Sequence, residues 1–201
     1  MDSLHLIVGL GNPGQEYAGT RHNVGFMVAE RCALRWGARW RLEKKFNARL
    51  ARAEFEGRKV LLGEPQNYMN SSGVVVASVS AFYKVPLAHL LVLVDDADLP
   101  LGEIRMRGSG SPGGHHGLES IEQSLGTRGY ARLRVGIGRR SSAEREITGH
   151  VLGRFHPGET ELLEKVLDRA ASQAECWLKS GIQMAMNQFN GVVTAPMTKD
   201  S

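Results

Sequence analysis

The residues Leu4-His5-Leu6-Ile7-Val8-Gly9-Leu10-Gly11-Asn12-Pro13-Gly14 decide the fold. A short, nearly unbroken apolar run ending in glycine reads as a strand buried on both faces, the kind found inside a parallel sheet. The glycines that follow match G-x-G-x-x-G, the pattern of a dinucleotide-binding turn. Such a turn needs its third glycine to open a helix whose N-terminus holds pyrophosphate. It also needs an acid ~20 residues on, at the end of the next strand. Here Gly14 leads into Gln15-Glu16-Tyr17-Ala18-Gly19-Thr20-Arg21, a loop-like segment, and helical spacing starts only at Val24. Glu30, the acid at the right distance, falls in mid-helix, and Pro13 stands where the turn should run into its helix. The segment is read instead as a turn that presents Asn12, with His22 shortly beyond it.

Outward from this strand, the pattern alternates. Apolar residues at helical spacing (Val24, Met27, Val28, Leu34) predict a helix over 24–36. Segments 46–55 and 58–62, joined by a glycine-containing turn, read as a hairpin. A helix is expected over 71–83, after Asn70. Leu90-Leu91-Val92-Leu93-Val94 is the clearest buried strand and runs straight into Asp95. Further strands are expected at 103–107 and 133–137, with a glycine-rich loop at 108–117 and a short helix from Leu118 between them. A long amphipathic helix over 158–179 and a shorter one over 182–190 complete the pattern. Interleaved strands and helices predict one three-layer α/β domain over 1–193, its twisted, mixed and mostly parallel sheet flanked by helices. Residues 194–201 read as a frayed tail, and a lid is expected around 138–153.

Composition narrows the function classes. The chain has 201 residues, 42% hydrophobic and 23% charged, which suits a water-soluble globular domain. No apolar run approaches the ~20 residues that span a membrane, and the first residues lack the basic region and cleavage site of a signal peptide. Cys32 and Cys176 are too few for a disulfide framework, which points to reduced thiols and a cytoplasmic location. Net charge is +4, and Arg105, Arg107, Arg128, Arg132, Arg134, Arg139, Arg140 and Arg145 crowd into one third of the chain. Guanidinium groups pair bidentately with phosphate oxygens, so the bias suits a nucleic-acid partner better than a membrane.

In open α/β sheets ligands gather beyond the carboxyl ends of the strands. Asn12 follows the first strand and Asp95 follows Leu90–Val94, so both are placed at one crevice, with His22 within reach. A histidine oriented by a carboxylate is the arrangement that deprotonates water near neutral pH. Asp95, Asp96 and Asp98 could instead join His22, His115 or His116 around a metal. Adjacent carboxylates on a strand point to opposite faces, however, and no H-E-x-x-H or paired Cys/His spacing supports zinc. No G-x-S-x-G elbow exists, and Ser71 and Ser72 read as first-turn helix residues. The expected agent is activated water, with no metal or cofactor.

LIVGLGNPGQEYAGTRHNVGF (6–26), EPQNYMNSSG (64–73), LVDDADLPLGEIRMR (93–107), GSPGGHHGLESI (110–121) and ARLRVGIGR (131–139) together resemble the bacterial-type peptidyl-tRNA hydrolase family. The resemblance runs from Leu6 to about Phe189, with its blocks in the family's order. It implies hydrolysis of the ester between a peptide and the 3′ end of tRNA, releasing tRNA for reuse in translation. It implies His22 as general base, Asp95 as its support and Asn12 as the residue that tells blocked from free aminoacyl-tRNA. Tyr17, Tyr68 and Asn70 are implied as substrate contacts, and Asn23 is placed near the same site. Arg105, Arg107 and Arg134 are implied as holders of tRNA phosphate. One departure stands out: His116 occupies the position of an asparagine that contacts substrate in G-G-H-N-G. Imidazole cannot reproduce the paired donor and acceptor of an amide. The rival reading is a non-catalytic RNA-binding protein that keeps the fold. A monomer is expected.

Overall fold

The computed structural model describes residues 4–138 and 149–193. Among these, eight strands form a single sheet in the order β2-β3-β4-β1-β5-β7-β6-β8. They are β1 (His5–Gly9), β2 (Trp40–Glu43), β3 (Ala48–Phe55), β4 (Arg58–Pro65), β5 (Leu90–Asp96), β6 (Glu103–Arg107), β7 (Ala131–Gly136) and β8 (Gly191–Val192). The centre, β4-β1-β5-β7, is parallel; β2 and β3 on one side, and β6 and β8 on the other, pair antiparallel. Buried parallel strands need apolar side chains on both faces, and β1 supplies them. Ile7 enters one core with Val28, Cys32, Val166 and Trp177, while Leu6 and Val8 enter the other with Val76, Val79 and Ile121.

Helices cover both faces. On one lie α1 (Val24–Arg35), α4 (Thr160–Ser180) and α5 (Ile182–Phe189); on the other lie α2 (Ser72–Phe82) and α3 (His116–Leu125). The glycines of the opening stretch now have a cause. A Cβ on Gly9 would come within 2.4 Å of the Gly25 carbonyl oxygen, and one on Gly25 equally close to that of Leu93. Glycine at both positions lets the first turn of α1 press onto the ends of β1 and β5. That contact sets His22, one residue before Asn23 and α1, directly over the carboxyl end of the sheet.

The three-layer mixed sheet matches the expectation, as do the main helices and the hairpin. The differences lie at the edges. Neither β2 nor β8 was expected: β2 has four residues, largely exposed, and β8 has two. Strand β7 begins at Ala131, and α3 opens at His116, two residues before the expected Leu118. The expected tail, 194–201, and most of the expected lid lie outside the described residues, as do Arg139, Arg140 and Arg145.

Candidate active site

Three segments meet at the carboxyl edge of β1 and β5. The first is the loop after β1. Asn23, at the head of α1, uses both ends of its amide on the Asn12 backbone: Oδ1 accepts the Asn12 N–H at 2.9 Å, and Nδ2 donates to the Asn12 carbonyl at 2.9 Å. The clamp fixes Asn12, whose own Oδ1 accepts the Met69 N–H at 2.8 Å. The loop is thereby tied to the turn that carries Tyr68 and Asn70, and Tyr17 meets Tyr68 edge-on with ring centroids 6.3 Å apart. Asn12 Nδ2 has no hydrogen-bond partner among the described residues, so this donor is open to a ligand. Asn23 is buried, with both its amide oxygen and its amide nitrogen bonded to the Asn12 backbone; it acts on the site by holding Asn12.

The second segment is the end of β5. Asp95, 2% exposed, accepts on one oxygen, Oδ1, from His22 Nδ1 at 2.9 Å and from His115 Nε2 at 2.8 Å. Burial would raise the proton affinity of this carboxyl. The two imidazoles, His115 foremost, more than reverse that and hold it well below the usual carboxylate range. Asp95 is therefore an anion. With Nδ1–H of His22 directed at it, the His22 Nε2 lone pair is left to accept a proton. The side chain of His22 is 14% exposed, enough for water to reach it.

The third segment opens α3, and there sequence reasoning gave His115 only a passing role as a metal ligand. Its Nδ1 accepts the N–H groups of Gly117 and Leu118, at 3.1 and 3.4 Å, and so caps the helix. An Nδ1 that accepts two N–H bonds carries no proton, so the hydrogen sits on Nε2 and points at Asp95. The signal was a histidine in the N-cap position of a helix that follows two glycines. His22, Asp95 and His115 each place one ligand-capable atom within 4.8 Å of the others. The protonation that the cap imposes on His115 leaves its Nε2 without a lone pair for a metal, so the set is built as a hydrogen-bonded unit.

The remaining expected residues are spread around this centre. His116 turns outward, 75% exposed, with Nδ1 3.0 Å from Glu119 Oε2. Arg105 lies beside Glu103 at 3.2 Å, and Arg107 is exposed. Arg134 is drawn inward to Asp96 at 3.2 Å and to the carbonyls of Ser111 and Pro112. Asp96 faces away from Asp95 and toward Arg134, as alternation along a strand requires.

Fold and site together define an α/β protein with a histidine–carboxylate centre at its strand ends, an arrangement capable of acid–base chemistry. The model of the peptidyl-tRNA hydrolase family matches residues 6–199, and the chain belongs to that family. Peptidyl-tRNA hydrolase of Synechococcus sp. strain JA-2-3B'a(2-13) is 51% identical over 94% of this chain and 84% of its own length. That of Thermoanaerobacter sp. strain X514 is 42% identical over 94% of this chain and 100% of its own. The crystal structure of peptidyl-tRNA hydrolase from Acinetobacter baumannii superposes with a TM-score of 0.90 at 39% identity, covering 97% of this chain and 98% of that one.

Proposed function

We propose that this chain hydrolyses the ester joining a peptide to the 3′ end of tRNA. Its membership of the peptidyl-tRNA hydrolase family gives the substrate; the observation that carries the chemistry is His22 held on the buried Asp95. His22 Nε2 takes a proton from water, the resulting hydroxide adds to the ester carbonyl, and the ribose oxygen leaves with a proton returned from the imidazolium. Asp95 stabilises that imidazolium as it forms, and His115 keeps the carboxylate in place. The free Nδ2 donor of Asn12 suits the first carbonyl of the peptide, a group that a blocked aminoacyl-tRNA has and a free one lacks. The Asn12 backbone N–H is taken by Asn23, so it is not a donor to the oxyanion. Tyr17 meets Tyr68 edge-on, and Tyr68 and Asn70 flank Met69, whose N–H Asn12 holds, which supports assigning these residues to the same substrate, with His116 exposed to solvent.

The polyanion falls to the arginines. Arg105 and Arg107 lie on β6 with guanidinium surface available, and phosphate contact by such groups is independent of base sequence. Arg134 shares their face with its donors already engaged. No described helix is long and apolar enough to cross a membrane. A cytoplasmic monomer working without metal or cofactor fits this reading, with Cys32 and Cys176 as free thiols.

The test is to incubate the purified protein with an N-blocked aminoacyl-tRNA in EDTA and follow ester release. Release is the expected result. Binding without release would favour the RNA-binding reading, and release abolished by EDTA would overturn the metal-free one.

A further inference from the structure

His22 and Asp95 lie 73 residues apart in the chain, and their 2.9 Å contact is not the only tie between their segments. The residue beside each carries a second one. Asp96, directly after Asp95, gives its backbone carbonyl to the Ile137 N–H at 3.1 Å. Arg21, directly before His22, donates from Nη1 to the Ile137 carbonyl at 3.1 Å. Ile137, just beyond the end of β7, thus joins the two flanking residues through both polar groups of its own backbone.

Arg21 is 4% exposed, although the loop before it, from Gly14 to Gly19, lies mostly in solvent. The bonds within that loop are local: the Tyr17 N–H meets the Gly14 carbonyl, and the Thr20 N–H and hydroxyl meet the Tyr17 carbonyl. Arg21 supplies distant ones. Its Nη2 donates to Glu159 Oε2 at 2.7 Å, and its guanidinium carbon lies 4.7 Å from the centre of the Phe155 ring. Its backbone N–H donates to the Gly153 carbonyl at 2.9 Å, beside an isolated antiparallel bridge between Thr20 and Arg154.

Glu159 is fixed in turn, because the same oxygen accepts the His156 N–H at 2.7 Å just ahead of α4. The His156 N–H and Arg21 hold its carboxyl below the usual carboxylate range, against the opposing effect of burial. The Arg21–Glu159 contact is therefore a charge-assisted hydrogen bond, the stronger kind. With its charge matched and its surface covered, Arg21 is not available to a polyanion.

We propose that Arg21 is a positioning residue that sets the alignment of His22 on Asp95, binding Ile137 on one side and Glu159 on the other. It touches none of the reacting atoms. General-base chemistry depends on alignment, and a displacement of about 1 Å can cost about 100-fold in rate. Removing the guanidinium leaves no buried charge alone. The Glu159 side chain is 28% exposed and keeps the His156 N–H, and the Ile137 carbonyl still has His150 Nε2 at 3.1 Å. This inference rests on the proposed hydrolytic role of His22 and Asp95.

The experiment compares wild type with Arg21→Met, Arg21→Gln and Arg21→Lys. Nuclear magnetic resonance on protein carrying nitrogen-15 histidine reads solvent exchange of the His22 Nδ1 proton that faces Asp95. That readout needs no turnover. Steady-state hydrolysis of an N-blocked aminoacyl-tRNA reads the chemistry, and tRNA binding over a range of salt reads the interface. In Arg21→Met, exchange of the imidazole proton rises at least about tenfold, and kcat falls on the order of 10- to 100-fold. The salt slope stays as in wild type, and Arg21→Lys, which keeps the charge without the fork, recovers part of the kcat. Placed on Asp95→Asn, Arg21→Met costs less than about threefold further, because the pair it acts through is already broken. If Arg21→Met does not fold, Arg21→Gln decides by the same readouts.

The inference is overturned if proton exchange and kcat are unchanged. It is overturned equally if the full loss of kcat recurs on Asp95→Asn, or if the salt slope falls by about one, the signature of a phosphate contact. Should wild type itself show no turnover, the hydrolytic reading fails, and the exchange of the imidazole proton still judges Arg21.

Discussion

Replacing Asp95 by asparagine keeps the size of the side chain and removes its charge. In the protein, Oδ1 of Asp95 accepts from His22 Nδ1 at 2.9 Å and from His115 Nε2 at 2.8 Å, in a pocket closed to solvent. When His22 takes a proton from water, an imidazolium appears at that distance from the carboxylate. With an effective dielectric constant of about 20, the attraction at 2.9 Å is about 6 kcal/mol, equivalent to about four powers of ten in rate. Water admitted by the substitution recovers part of it. Asp95→Asn should therefore lower kcat by about 10³- to 10⁴-fold. KM should stay within about threefold, because the tyrosines, Asn12 and the exposed arginines are untouched. The assay is steady-state hydrolysis of an N-blocked aminoacyl-tRNA, with thermal unfolding run alongside to show that the variant folds. Adding His22→Ala to Asp95→Asn should cost little more, since the two side chains act as one unit. A kcat within tenfold of wild type would refute the reasoning, because a carboxylate this close to the base could not then be stabilising its charged form.

Arg105→Ala and Arg107→Ala should each weaken tRNA binding and lower the slope of log affinity against log salt by about one; titrations at several salt concentrations check this, and an unchanged slope removes these residues from the phosphate interface. Glu64 gives a pH-dependent expectation for stability. Its side chain is fully buried, one oxygen meets Arg49 at 2.8 Å and the other has no partner. Burial pushes its pKa from 4.5 to about 8 against the pull of Arg49. The folded state then keeps a proton that the unfolded chain releases, so its contribution is complete below about pH 4.3 and is lost as pH rises toward 8. Glu64→Gln should gain on wild type by up to about 5 kcal/mol between pH 4 and pH 8. Urea unfolding of both proteins across that range measures the gap, and a gap that does not grow with pH contradicts the burial argument.

Much of this fold is written in local sequence. The apolar runs of β1 and β5 announce buried parallel strands, and α1 and α4 show their helical spacing. The edge strands do not: β2 alternates Trp40 and Leu42 with Arg41 and Glu43 over only four residues, all but Trp40 exposed, and it exists only because β3 offers a partner. Residue types at the site were legible, but their division of labour was not. Asn12, His22 and Asp95 converge as the strand ends predict. His115 was overshadowed by its neighbour His116, since nothing in G-G-H-H-G tells which imidazole turns inward; the cap on α3 decides it. Asn23 and Arg134 carry polar groups that the sequence offers equally to substrate or scaffold, and the fold engages both internally. In the opening stretch, Gly9 and Gly11 lack the side chains that would strike Gly25 and Phe26, which lets α1 settle onto the sheet.

The account rests on His22 as the base, and His22→Ala tests that most directly when turnover and tRNA affinity are measured on the same preparation. General-base assistance is worth about 10²- to 10⁴-fold, and His22 sits apart from the exposed arginines of β6. The predicted result is a loss of turnover in that range with tRNA affinity within about twofold of wild type. Turnover close to wild type, or a loss explained wholly by weaker binding, would contradict it.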